Sequence, residues 1–180
     1  MRRIFIAVTL DEAIHQSLEK TQKWIRPLLT KGRFANPSLF HLTIQFLGEL
    51  SEDRIHSLVN TQHHWTGDIR PFNLRIERLG CFDKRNKAVL WAGVAENPPL
   101  NRLAEEVRES LKLMGFVDPK PFKPHITLVR EAVFRGPDAR DVFYKQALVI
   151  PSCEVDGFHI MESKLENQKR VHRSLKQIFF

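Results

Sequence analysis

The residues best suited to chemistry are two histidine–threonine pairs: His41 and Thr43 in HLTIQFLG, and His125 and Thr127 in HITLVR. Each pair sits in a run of aliphatic, β-branched and aromatic residues that reads as a strand. Side chains two apart on a strand share a face. Each histidine therefore lies beside its threonine, while Leu42, Ile44, Ile126 and Leu128 point the other way, where helices can cover them. Imidazole titrates near pH 6.5 and can give or take a proton at neutral pH. Two imidazoles and two hydroxyls in one place would make an acid–base pair with hydrogen-bond donors beside it. A lone strand histidine is usually structural; the matched pair carries the argument.

The surrounding elements must bring these strands together. Arg3 to Leu10 is near-continuously apolar, as a central strand covered on both faces would be. Asp11 is placed to cap a helix carrying Ile14, Leu18, Ile25 and Leu28, with Pro27 near its end. Lys31-Gly32-Arg33 reads as a turn, and Asn36-Pro37 as another before the first motif. Ser51 is an N-cap for a second helix carrying Ile55, Leu58 and Val59. Pro71 to Leu79 reads as one half-exposed strand, paired through an Asp83–Lys87 turn with Ala88 to Val94. Asn97-Pro98-Pro99 opens a helix with Leu100, Leu103, Val107 and Leu111 on one stripe, and Gly115 stops it. Prolines 119, 121 and 124 lead into the second motif. Gly136-Pro137-Asp138 marks a loop; Lys145 to Val155 and Gly157 to Ser163 read as adjacent strands, and Arg170 to Phe180 as a last strand. His41 and His125 stand about half the chain apart. The expected fold is α+β, with two pseudo-symmetric lobes. Each would be an antiparallel sheet with helices on its outer face, flanking a central cleft, within one bilobal domain over residues 1–180.

Composition narrows the class. The chain has 180 residues, 42% of them hydrophobic, enough for a substantial core. With 28 Lys and Arg against 21 Asp and Glu, its net charge of +7 suits a nucleic acid or phosphorylated partner. Cys81 and Cys153 show neither metal-ligand spacing nor a disulfide framework, which fits a reducing compartment. No apolar run approaches membrane-spanning length, and the N-terminus turns polar too early for a secretion signal. A soluble cytoplasmic monomer with no membrane contact is expected. No Walker-type loop is present, which argues against ATP. His63-His64 beside Trp65 suggests a metal or switch site, yet its polar surroundings favour a surface pair. His15, His56 and His159 lack partner spacing, and Ser163-Lys164 lacks a base and an oxyanion frame.

Two His-x-Thr motifs in a chain of this size resemble the 2H phosphoesterase superfamily. HLTIQFLGEL, PFKPHITLVR, the opening RIFIAV and the segment Glu162-Ser163-Lys164-Leu165 most resemble its RNA 2′,3′-cyclic phosphodiesterases, also called 2′-5′ RNA ligases. His172 departs from the resemblance, since a tyrosine is expected there. The resemblance implies opening of a 2′,3′-cyclic phosphate to a 2′-phosphate, with His41 as proton donor and His125 as acceptor. The near-symmetric motifs do not themselves assign those roles. No metal or cofactor is needed, because imidazoles move the protons and Thr43 and Thr127 can hydrogen-bond the non-bridging oxygens. Run in reverse, the site would join a cyclic phosphate to a 5′-hydroxyl.

Arg130 would point away from the cleft on a regular strand and into it if the strand ended near Val129. The resemblance places an arginine there, implying a phosphate contact. Phe5 is a candidate for base stacking, though core packing is the better reading. Lys123 and Arg33 are candidates for backbone contacts, with ordinary surface charge the better reading. The expected partner is RNA ending in a 2′,3′-cyclic phosphate, tRNA fragments among them. The alternative is a non-catalytic module that binds cyclic-phosphate or 2′-phosphate nucleotide ends. A small nucleotide substrate fits the same motifs.

Overall fold

A computed structural model describes residues 1–60, 68–117 and 120–180. The His63-His64-Trp65 cluster and Pro119 lie outside them. Among the described residues two four-stranded antiparallel sheets carry the fold. The first runs in the order β10 (Lys169–Phe179), β9 (Gly157–Glu166), β1 (Arg2–Val8), β3 (Leu42–Leu50). The second runs β2 (Leu29–Phe34), β7 (His125–Phe134), β6 (Lys87–Val94), β5 (Ile76–Lys84). A two-stranded pair joins β4 (Phe72–Leu74) to β8 (Cys153–Val155). Four α-helices lie among the described residues: α1 (Glu12–Ile25), α2 (Glu52–Asn60), α3 (Pro98–Leu113) and α4 (Pro137–Lys145).

The two sheets correspond strand for strand in β9-β1-β3 and β5-β6-β7, with the motif strand third in each. The expected α+β pair of antiparallel sheets is therefore present, one motif strand to each. The lobes are not chain halves, however: β2 crosses into the second sheet, and the C-terminal β9–β10 hairpin completes the first. The apolar opening is central, since β1 lies between β9 and β3 and Ile4 to Val8 are all buried. Ile4, Ile6 and Val8 join the main core; Phe5 and Ala7 form a small separate cluster with Met161. At the far end of β1, Arg2 makes two bonds of 2.8 and 2.9 Å to the buried Glu162 carboxylate, pinning β1 to β9. That pairing holds the Glu162 carboxyl below the usual carboxylate range.

Four local expectations fail. Lys31-Gly32-Arg33 is not a turn but the middle of β2, where a Cβ on Gly32 would stand 2.8 Å from Val129 Cγ1. The glycine there admits a close strand approach rather than a reversal. Pro71 to Leu79 divides at Arg75, because β4 leaves to pair with β8. Gly136-Pro137 starts α4, with proline at the first turn, where its missing N–H costs nothing. That nine-residue helix buries only Phe143, too little for a visible period. Of Lys145 to Val155, only Cys153–Val155 is strand; Pro151 and the exposed Val149 break the run. Asp11 stands at the N-cap of α1, but its side chain accepts no cap bond. Asn36, Ser51 and Asn97 each cap the turn or helix they precede.

The feature that matters most for the cleft is a bulge in each motif strand. Val8 pairs Leu42 and Ala7 pairs Thr43, but Ile6 pairs Gln45, so Ile44 is an extra residue in β3. Trp91 likewise pairs Thr127 while Leu90 pairs Val129, making Leu128 the extra residue in β7. An extra residue reverses the alternation of faces beyond it. The fifth residue after each histidine, Phe46 and Arg130, thus returns to the histidine face. The β7 bulge has its own support from α1. Leu128's carbonyl accepts from Ala35 N–H at 2.9 Å and from the buried Gln22 amide at 2.8 Å, and Gln22 also donates to the Ala35 carbonyl at 2.9 Å. Replacing Gln22 with methionine, which keeps the volume but removes the donors, should lower stability by about 1–3 kcal/mol. Chemical denaturation measures it; an unchanged midpoint would mean that the bulge stands without the glutamine.

Candidate active site

The two imidazoles are held in the same way. His41 Nδ1 lies 2.7 Å from the Leu39 carbonyl, and His125 Nδ1 lies 2.6 Å from the Lys123 carbonyl, each two residues upstream. A carbonyl only accepts, so Nδ1 carries the hydrogen in both rings and Nε2 is the free, reactive nitrogen. The chain entries explain the match. Asn36-Pro37 sets a short 3-10 turn that presents Leu39's carbonyl, and the Pro121–Pro124 segment presents Lys123's.

Around that shared geometry the settings differ. His41 belongs to a triangle of rings, with centroids 4.9 Å from Phe5 and 4.9 Å from His172, while Phe5 and His172 are 5.0 Å apart. Phe5 is 2% exposed and supports His41 from beneath, the packing role favoured over base stacking in the sequence. His172 faces Ser163 across β10 and β9, and burial beside His41 and Arg170 pushes its imidazole down to about 4. It is neutral near pH 7 and meets His41 as an aromatic ring. Nothing in the sequence linked it to His41, because the two meet across three strands.

His125 stands edge-on to Phe82 at 5.0 Å, and Phe82 packs on Trp91 at 5.2 Å. The Trp91 ring needs bare backbone under it. A Cβ on Gly80 would stand 2.2 Å from Trp91 Cη2, and one on Gly93 would stand 2.7 Å from Cζ3. Gly80, Trp91 and Phe82 thus form the floor beside His125, and no spacing rule pointed to them.

Thr43 and Thr127 are half-buried on the histidine face. Arg130 joins them through the bulge, although its strand runs on to Phe134. Both continuation and inward aim, treated as exclusive in the sequence, hold together. Burial lowers the pKa values of His41 and His125, the hydrogen bonds to the Leu39 and Lys123 carbonyls oppose that, and the Arg130 charge lowers both further. Arg130 in turn feels Arg33 and Arg170, so three guanidiniums make this end of the cleft positive. Arg33 also pairs with Glu131 at 3.6 Å, and Lys123 lies over Phe82 at 5.8 Å. His159 bonds Ser174 Oγ at 2.9 Å, and His15 meets Phe40 and lies near enough to His41 for its charge to lower the His41 pKa a little further. Ser163 Oγ accepts from Arg170 at 2.8 Å, a structural use.

Two histidines with free Nε2 atoms, two threonines and an arginine on one concave face define an acid–base geometry suited to an anion. The family description "2′-5′ RNA ligase superfamily" matches residues 10–167, and the chain belongs to that superfamily. It is 31% identical to the RNA 2′,3′-cyclic phosphodiesterase of Thermus thermophilus over 97% of this chain and 88% of the relative. To the RNA 2′,3′-cyclic phosphodiesterase of Archaeoglobus fulgidus it is 29% identical, over 97% of this chain and 98% of the relative. Among solved structures, E. coli LigT complexed with 3′-AMP superposes with a TM-score of 0.76 at 26% identity, covering 99% of this chain and 97% of that one. The protein TT0787 of Thermus thermophilus gives 0.77 at 28% identity, covering 98% and 97%.

The charge pattern can be read by titration. His41 and His125 should both titrate below the ordinary value near 6.5, and Arg130→Gln should move both upward. Proton NMR of the imidazole resonances measures this; values unmoved by the substitution would place Arg130 away from the histidines.

Proposed function

We propose that this protein is an RNA 2′,3′-cyclic phosphodiesterase that needs no metal and forms one bilobal domain over residues 1–180. The matched tether of both histidines carries the reading: each Nδ1 is tied to a carbonyl two residues back, so each Nε2 is free for proton transfer. His125 Nε2 takes a proton from the entering water as its oxygen attacks phosphorus. His41 Nε2 gives a proton to the leaving ribose O3′, and a 2′-phosphate remains. Thr43, Thr127 and Arg130 hold the non-bridging oxygens and stabilise their charge in the transition state. The names of the relatives support this substrate, and the net charge of +7 suits an RNA partner.

His41 must start protonated although its surroundings favour the neutral ring. The bound phosphate resolves the conflict, because its negative charge offsets Arg130 and favours the imidazolium. Free-protein kcat/KM should follow a bell centred below about pH 6.5, since both pKa values are lowered. The acid limb falls as His125 becomes protonated, and the basic limb falls as His41 loses its proton.

The test is incubation with a short RNA ending in a 2′,3′-cyclic phosphate, in EDTA. The expected product is a 2′-phosphate, with His41→Ala and His125→Ala each reducing turnover roughly 10²–10⁴-fold. Loss of activity in EDTA with recovery on adding metal would overturn the mechanism. RNA bound without turnover would leave a binding module in its place.

A further inference from the structure

Immediately after Arg130 the backbone of β7 turns left-handed, with φ of 54° at Glu131. An L side chain is crowded at that angle, and glutamate lacks the tolerance that glycine or asparagine has for it. Among the described residues the other non-glycine positions with positive φ are Arg85, Asn167 and Gln168. Those three sit in the β5–β6 and β9–β10 hairpin turns, where such angles close the loop. Glu131 lies inside a strand. It is an extra residue against both neighbouring strands. Leu90 pairs Val129 and Ala88 pairs Ala132, so Val89 faces both Arg130 and Glu131. On the other side Arg33 pairs Arg130 and Lys31 pairs Val133, so Gly32 faces both Glu131 and Ala132.

The side chain links the same three strands. One carboxylate oxygen lies 3.1 Å from Lys87 Nζ on β6, and the other lies 3.6 Å from an Arg33 guanidinium nitrogen on β2. Arg33 stands directly across from Arg130, a like-charge pairing that opposes strand association. Glu131 supplies the counter-charge to Arg33, whereas Arg130 has no acidic partner among the described residues. Exposed ion pairs of this kind add little stability, so they do not account for a strained glutamate here. Strain that the surroundings hold in place gathers at functional sites.

We propose that Glu131 is a positioning residue, whose left-handed backbone takes the extra residue out of both ladders and so keeps Arg130 directed into the cleft. This rests on the proposed function, in which Arg130 meets the phosphate. The Leu128 bulge turns Arg130 to the histidine face, and the Glu131 bulge stops the strand from slipping back. A residue of regular conformation at 131 would compete with Arg130 for the place opposite Val89. The carboxylate, tied to Arg33 and Lys87, fixes the bulge and leaves Arg130 as the unpaired cation. Glu131 acts only through Arg130.

Three substitutions that all remove the carboxylate isolate the backbone. Glycine takes the left-handed angle freely, alanine resists it, and valine resists it most. Hydrolysis of cytidine 2′,3′-cyclic phosphate should stay near the unmutated rate in Glu131→Gly and fall in Glu131→Ala. In Glu131→Val, kcat/KM should fall roughly 10–100-fold. In an Arg130→Gln background the same substitutions should reduce activity no further. Proton NMR reads the placement of Arg130 without turnover. His41 and His125 should titrate higher in Glu131→Val, as in Arg130→Gln, but not in Glu131→Gly. If the valine variant does not fold, the difference between alanine and glycine carries the same test. Equal activity in the glycine and alanine variants, or losses that multiply those of Arg130→Gln, would overturn the inference. Absence of hydrolysis by the unmutated protein would sink the proposed function instead, and the imidazole titrations would still decide whether Glu131 directs Arg130.

Discussion

The cleft depends on one extra residue in each motif strand. On a regular strand the fifth residue after a histidine lies on the opposite face, in the core. Ile44 and Leu128 break that rule, so Phe46 and Arg130 return to the side of His41 and His125. The core keeps its apolar contacts, because Leu128 and Val129 are both fully buried, and the site gains a cation it would otherwise lack. Gln22 secures the second bulge from α1 through the Leu128 carbonyl. A buried amide on a helix thus helps to determine which way an arginine points in a sheet. Motif, bulge and helix form one unit.

Symmetry of the scaffold and asymmetry of its lining divide the work. Matched carbonyl tethers at Nδ1 leave the same nitrogen, Nε2, untethered in both histidines, the arrangement the proposed two-sided attack on phosphorus calls for. The lining then distinguishes them. Phe5 and His172 confine His41, while the aromatic floor at Phe82 and Trp91 leaves space beside His125. Burial, with the Arg130 charge beside it, disfavours the protonated form of both imidazoles, and in the proposed reaction the charge of an anionic ligand would offset Arg130.

The two histidine–threonine pairs, and their place on one strand of each sheet, were legible because strand alternation and a repeated His-x-Thr are local properties. The central place of β1 was legible from its unbroken apolar run, the turn at Asn36 and the helix start at Asn97 from residue type, and of the two caps read from the sequence Ser51 makes its bond while Asp11 does not. What escaped depends on contacts between distant segments. Gly32 is a strand residue because Val129 lies over it, and nothing beside it in sequence says so. The orientation of Arg130 follows from the register of β7 against β6, which the β7 sequence alone does not contain. Gln22 did leave a trace, as a polar residue on the stripe of Ile14, Leu18 and Ile25. His172 reaches His41 only through the order β10-β9-β1-β3, and the glycines under Trp91 through cross-strand packing.

In the proposed reaction both histidines act on a single phosphorus from opposite sides. A crystal structure with a nucleoside vanadate, a five-coordinate mimic of the reacting phosphate, tests this most directly. Vanadium should lie between the two Nε2 atoms, with His41 and His125 each facing an axial oxygen. Thr43, Thr127 and Arg130 should hold the equatorial oxygens. Vanadate held by one histidine alone, or bound away from Arg130, would contradict it.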